Sequence, residues 1–163
     1  MPVISNEKAT KIITNLVLLI VIIIITAKII SLFYHKDSIK HIHFETKTIQ
    51  ISNADTQYSF QVETADTQEK LEYGLKNRTN MDINRGMLFI FGEEKEVNMW
   101  MQDTYIPLDM LFIKNKIITK IAADTTPLSL KTISSGSKVT AVLELNAGPC
   151  KNLNIKIGDK IDF

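Results

Sequence analysis

The sequence predicts an α+β protein: a mostly antiparallel, barrel-like β domain with two short helices, preceded by one N-terminal transmembrane helix. Three observations carry this expectation. Residues 12–34 form a nearly unbroken apolar run with one internal charge, Lys28. Several later segments alternate apolar and polar residues with a period of two, as half-buried strands do. Two others, 87–91 (MLFIF) and 110–113 (MLFI), are apolar throughout, which calls for cover on both faces.

A hydrocarbon core about 30 Å thick takes roughly 20 apolar residues in a helix, whose own hydrogen bonds satisfy the backbone where water is absent. The uninterrupted stretch 16–25 is also as long as the core of an export signal. Behind it, however, Ala27 with Ile25 two places earlier makes a poor cleavage site. The run therefore reads as an uncleaved signal-anchor, with export after signal-peptide cleavage as the alternative. Only Thr14 and Asn15 are polar within 12–25, so the polar face of a core helix is missing. Lys8 and Lys11 against Glu7, and Lys36 and Lys40 against Asp37, nearly tie the positive-inside comparison. A short head before a single span stays inside as a rule. The expected organisation is a cytoplasmic head (1–11), a single-pass span (12–34) partnered by the lipid bilayer, a juxtamembrane linker (35–41) and a β-rich globular domain (42–163). The domain would face the periplasm or the cell exterior from the cell membrane.

Lys8, Lys11 and Lys28 take three of the 19 basic residues and Glu7 one of the 18 acidic. Residues 35–163 thus carry 16 against 17. A nucleic-acid binder shows a concentrated basic face, and this balance sets that class aside. The single cysteine, Cys150, excludes an intramolecular disulfide. It reads as a small, partly buried side chain at a helix start.

Along the domain, Ile42, Phe44 and Thr46 alternate with His43 and Glu45, and Tyr58, Phe60 and Val62 with Ser59, Gln61 and Glu63. Asp66-Thr67-Gln68-Glu69 fits a capping box. Leu71 and Leu75 then share a face of a helix expected to run to near Arg78, with Gly74 inside it against a closely packed neighbour. Lys114-Asn115-Lys116 joins 110–113 to 117–123 as a hairpin. Residues 125–137 read as a loop, 138–145 as a strand, Gly148-Pro149 as the opening of a short helix, and 155–159 as an extended terminal segment. The tetrapeptide Ala-Asp-Thr-Gln at 54–57 and 65–68 is turn chemistry used twice, because a repeat architecture needs a sustained period.

All three histidines, His35, His41 and His43, precede residue 44, and no nucleophile-elbow, zinc-protease or phosphate-loop pattern occurs. Hydrolases built on a histidine base are thereby disfavoured. His41-x-His43 supplies two ligands without a third, so no metal site and no cofactor are expected. In 97–102, Val97, Met99 and Met101 point one way, while Asn98, Trp100 and Gln102 share the other. An aromatic between amides suits a stacking platform with orienting polar groups; the competing reading is a core tryptophan. Glu144 and Asn146 share a face with Val142. Asp103, Asp109 and Glu144 are the carboxylates nearest the apolar strands, as candidate ligand groups or as acceptors of backbone N–H bonds. Arg78 and Arg85 are the only arginines beside 17 lysines. They read as structural forks clamping a carboxylate such as Glu144 or Asp109.

Several ordered motifs carry a resemblance: Arg85-Gly86-Met87-Leu88-Phe89, Trp100-Met101 with Thr104, Ile106-Pro107-Leu108-Asp109, Thr126-Pro127-Leu128-Ser129, Glu144-Leu145-Asn146-Ala147-Gly148 and Gly158-Asp159. Over about residues 58–163 the chain resembles the uncharacterised bacterial and archaeal family called domain of unknown function 192. The resemblance implies a compact β-rich barrel with short helices, often behind a signal or a single span. It implies no established activity, cofactor or catalytic residue. Lys76 stands where that family commonly has an apolar residue, and Gln102-Asp103 where Lys-Asn is usual. The second change reverses the charge beside Trp100 and weakens any case for an anionic ligand there.

The functional expectation is a membrane-anchored module that binds a small polar ligand, a glycan or an envelope protein. Its candidate contacts are Asn98, Trp100, Gln102, Asp103, Asp109, Glu144 and Asn146. The alternatives are a carboxylate-based enzyme acting on envelope glycans and a structural or assembly factor of the envelope.

Overall fold

A computed structural model of the protein describes residues 6–37, 42–53 and 56–163. The chain divides into two compact units, Met1–His41 and Ile42–Phe163. The first is built on helix α1 (Asn6–Asp37), and its window Thr10–Ser31 has a mean hydropathy of 2.7 with none of its surface buried. Large apolar side chains from Ile12 to Ile30 are exposed around it. It is long and apolar enough to cross a membrane, a property anchors share with signal sequences. The helix extends through 6–11 of the expected head and 35–37 of the expected linker; residues 38–41, including His41, lie outside the described residues.

The second unit contains β1 (Glu45–Ser52), β2 (Gln57–Ala65), α2 (Gln68–Tyr73), β3 (Arg85–Lys95), β4 (Asn98–Met99), β5 (Leu108–Lys114), β6 (Ile117–Ala122), β7 (Ile133–Ser134), β8 (Val139–Asn146), α3 (Pro149–Asn152) and β9 (Lys160–Asp162). Seven strands close a barrel in the order β1-β2-β3-β8-β5-β6-β9, and β4 pairs with β7 in a small second sheet. The barrel pairs are antiparallel except β2–β3, which are parallel and connected through α2. The fold is the expected mostly antiparallel, barrel-like α+β domain with two short helices.

The wholly apolar runs of β3 and β5 are explained by two cores. Ile49, Ile51, Val62, Leu88, Leu111 and Leu143 fill the barrel interior. On the opposite face of the same strands, Met87, Phe89, Met110, Phe112 and Val142 pack under Leu75, Val97, Met101 and Ile106. That second core is roofed by α2 and the long loops, so β3, β5 and β8 are buried on both sides. Gly86 lies where β3 comes closest to β8: an added Cβ would run into the Glu144 carbonyl oxygen and the Leu145 side chain.

Element boundaries moved for local reasons. The first strand begins at Glu45, not at residue 42, because its core contacts come from Ile49 and Ile51. Thr67, not Asp66, caps α2: its side chain accepts from the Lys70 N–H at 3.3 Å. The helix stops at Tyr73, short of Arg78, because Gly74 is its C-terminal cap with φ +53°. The expected close neighbour of Gly74 is the Phe89 ring, 3.2 Å from where a Cβ would stand. Asn115 and Lys116 both have positive φ, as a two-residue hairpin of this twist requires. The 125–137 loop contains β7, and the terminal strand is 160–162, following a turn at 157–158 rather than occupying 155–159.

Candidate functional site

Glu144 sits in the middle of β8, paired across the sheet with Met87 of β3 and Met110 of β5. Side chains opposite one another on adjacent strands share a face, so its carboxyl stands in the second core between two methionines. It is 4% exposed. Among the described residues it makes neither a hydrogen bond nor an ion pair. Burial alone raises its pKa from the ordinary 4.5 to about 8.

What it faces is a narrow notch of about 40 Å³. One side is the end of α2 and the turn after it: Glu72, Tyr73, Gly74 and Lys76. The other is the end of β4 and the loop after it, with Met99, Trp100, Gln102 and Thr104; Phe89 and Glu144 also line the space. The loop is held in place by its neighbours. Val97 and Met101 are buried, the Met101 N–H donates to the Ser129 carbonyl (3.0 Å), and the Met101 sulfur accepts from the Thr125 hydroxyl (3.1 Å). With those anchors turned inward, Trp100 is turned outward and is 55% exposed. The loop is also stitched to the turn after α2. The Asn77 N–H donates to the Asp103 carbonyl (2.7 Å), and the Tyr105 N–H donates to the Arg78 carbonyl (3.3 Å).

A wider groove of about 570 Å³ shares Tyr73 and Lys76 with the notch. Its wall is polar, with His43, Thr46, Asn77, Thr79 and Asn80 beside a two-pronged ion pair. In that pair Arg78 donates to both Glu63 oxygens, at 2.9 and 2.7 Å. Arg78 is thus the expected internal clamp, but its carboxylate is Glu63 rather than Glu144 or Asp109. Among the described residues Arg85 pairs only with Asp82, at 3.4 Å on the surface.

Of the candidate contacts, Trp100, Gln102 and Glu144 meet in the notch. Trp100 is not a core residue. Asn98 is exposed on β4, and Asp103 occupies a left-handed turn position (φ 57°) with its side chain in solvent. Asn146 braces structure, donating from Nδ2 to the carbonyls of Met81 (2.7 Å) and Asp82 (2.9 Å). Asp109 is 1% exposed, and its oxygens accept from the backbone N–H groups of Asp124 (2.9 Å), Gly148 (3.0 Å) and Cys150 (3.0 Å). It ties the start of α3 to β5. Cys150 is buried, and desolvation, with the Asp109 charge behind it, pushes its thiol pKa up and away from reactivity.

Sequence reasoning missed Glu72, Tyr73, Lys76 and Phe89 as partners of Glu144. The available signal was Gly74, which as a helix cap marks where α2 ends and so places Glu72, Tyr73 and Lys76 together.

Solved structures share this architecture. A protein from Sinorhizobium meliloti 1021, described as a "putative transcription regulator", is 38% identical with a TM-score of 0.73. The match covers 75% of this chain and 96% of that one. A protein of unknown function from Novosphingobium aromaticivorans DSM 12444 is 28% identical, also at a TM-score of 0.73, over 76% of this chain and 89% of the other. No curated protein matches the chain. The sequence profile of domain of unknown function 192 (DUF192), described as "Uncharacterized ACR", matches residues 49–163, from the middle of β1 to the last residue. By that match the chain belongs to the DUF192 family.

Proposed function

We propose that the protein is a membrane-tethered module, facing the periplasm or exterior, whose β domain binds a small polar ligand at the Trp100–Glu144 notch and the groove beside it. One observation carries this reading. A carboxyl that is almost wholly buried and unpaired costs stability unless something compensates it, and this one lines an opening flanked by an exposed tryptophan and an amide. Ligand sites combine apolar and aromatic walls with a few polar groups in this way. The groove's amides, hydroxyls and Arg78–Glu63 pair would suit a larger polar body such as a glycan or a segment of an envelope protein.

The carboxylate-enzyme alternative loses support at two of its three residues, since Asp109 is committed to backbone amides and Asp103 stands outside the notch. Direct nucleic-acid binding finds no support in the charge balance of residues 35–163, which carry 16 basic and 17 acidic groups.

Trp100 is the only tryptophan, so its fluorescence reports the site directly. In a screen of envelope glycan fragments and small metabolites against the full chain in neutral detergent, at least one compound is expected to shift the emission saturably and protect Trp100 from quencher. No response across the panel, together with no heat of binding, would remove the reading. For the tether, alkaline-washed membranes are expected to retain the intact chain. Recovery of a shortened, freely soluble protein would overturn it.

A further inference from the structure

We infer that the notch takes the ammonium head of a small primary amine, with Glu144 as its counter-ion and Trp100, Tyr73 and Phe89 as its walls. The inference rests on the reading of the notch as the ligand site and adds the chemistry of the group that enters it. Size comes first. The notch offers about 40 Å³, against the roughly 10–15 Å³ of such space that one water needs, so it has room for a small polar head of a few heavy atoms and little for a sugar ring. Charge comes second. A buried, unpartnered carboxyl gains most from a cation, because a cation offsets the cost of holding the ionised form away from water. Glu72, at the lip, adds a second carboxylate; it accepts from Gln68 Nε2 at 2.6 Å through one oxygen only. Tyr73, Phe89 and Trp100 line the space, and aromatic rings can accept a cation over their faces.

The groups that face Glu144 are few. The end of α2 and its turn contribute Glu72, Tyr73 and Lys76; β3 and β5 contribute Met87, Phe89 and Met110; β4 and the loop after it contribute Met99, Trp100, Gln102 and Thr104. Lys76 is the one cation among them. No ion pair joins it to Glu144 among the described residues, and burial is the cause of the Glu144 shift, with no contribution from the Lys76 charge. The carboxyl is therefore open to a cation from outside, and Lys76 acts as a like-charged neighbour at the entrance.

Binding then carries a proton balance. Free Glu144 holds its proton at neutral pH; the ammonium enters, Glu144 ionises, and that proton leaves to the buffer. Below the Glu144 pKa of about 8, affinity should rise about tenfold per pH unit and then level off. A neutral ligand that accepts a hydrogen bond from protonated Glu144 would show the opposite trend.

The test is calorimetric titration of the full chain in neutral detergent with n-propylammonium, and with 1-propanol as its neutral isostere. It is run between about pH 6 and pH 9 in two buffers of different ionisation heat, with Trp100 emission followed in parallel. Propylammonium is expected to bind, releasing close to one proton at pH 7, with affinity climbing to a plateau near pH 8. Propanol should not bind. Lys76→Met should tighten propylammonium severalfold, and Glu144→Gln should abolish binding while its melting curve remains cooperative. Equal binding of alcohol and amine, or amine binding without proton release or pH dependence, overturns the inference. The pH profile of the unmutated protein decides this even if Glu144→Gln fails to fold. If glycans or other neutral compounds shift Trp100 and the amine does not, the inference falls and the ligand site stands. If nothing shifts Trp100, both fall.

Discussion

Between about pH 5 and about pH 9 the β domain is expected to lose several kcal/mol of stability, and Glu144→Gln to lose far less. In the folded chain the Glu144 pKa is about 8, against an ordinary value of 4.5. The folded state therefore binds more protons than the unfolded state inside that window, and stability must fall as pH rises through it. Below 4.5 Glu144 is protonated in both states, and its burial carries no charge penalty. Above about 8 both are ionised, and the cost of the buried charge is fully present. Each unit of pH inside the window costs at most about 1.4 kcal/mol. The Cys150 thiol, pushed further up by its own burial, titrates above this range. Glu144→Met should go further than Gln, because it places a third methionine between Met87 and Met110. At pH 9 it is expected to stabilise the domain by about 2 kcal/mol or more. Denaturation of the full chain in neutral detergent, followed by Trp100 emission, measures both. A midpoint that is flat or rises with pH in the unmutated protein would show that the carboxyl is solvated.

Asp109→Ala is expected to cost about 4 kcal/mol, the larger share arising from three backbone N–H groups left without an acceptor. Those groups belong to Asp124, Gly148 and Cys150, so a single carboxylate joins the turn after β6, the start of α3 and the strand β5. Bonds to an ionised acceptor are about twice as strong as neutral ones. Asp109→Asn keeps one acceptor but turns an N–H₂ toward a donor, so it should recover only a small part of the loss. Amide exchange at Gly148 and Cys150 should quicken in both variants ahead of exchange in β8. A loss below about 1 kcal/mol in Asp109→Ala would mean that water replaces the carboxylate freely, contrary to its burial.

Much of the fold was legible because its signals are local. The unbroken apolar character of 87–91 and 110–113 announced strands covered on both faces, and the two cores meet that expectation. The hairpin at Asn115-Lys116 followed from its turn residues. Boundaries failed where two residues offer the same chemistry: Asp66 and Thr67 are both good helix caps, and only the Lys70 N–H distinguishes them. Gly74 was read as an interruption of a helix when its left-handed backbone makes it the end of one.

The candidate site was half legible for the same reason. Alternation around Trp100 put it opposite Val97 and Met101, and alternation in β8 put Glu144 on the face of Val142. What brings Trp100 to Glu144 is the packing of a loop against the turn after α2, through contacts such as the Asn77 N–H to the Asp103 carbonyl. Those partners are separated by tens of residues, and no short-range pattern encodes their meeting. Arg78 pairs with an internal carboxylate. That the carboxylate is Glu63, on the strand preceding α2, depends on how β2, α2 and the following turn fold together.

The account turns on one ionisable group at the base of the notch, and its titration can be observed directly. In the full chain in neutral detergent, carboxyl ¹³C resonances of the glutamates are followed against pH, with the Glu144→Gln spectrum assigning the missing signal. A Glu144 midpoint at about 8 is the result predicted for a buried, unpaired carboxyl. A midpoint at the ordinary 4.5 would contradict it, and with it the narrow, poorly solvated notch on which the proposed ligand chemistry depends.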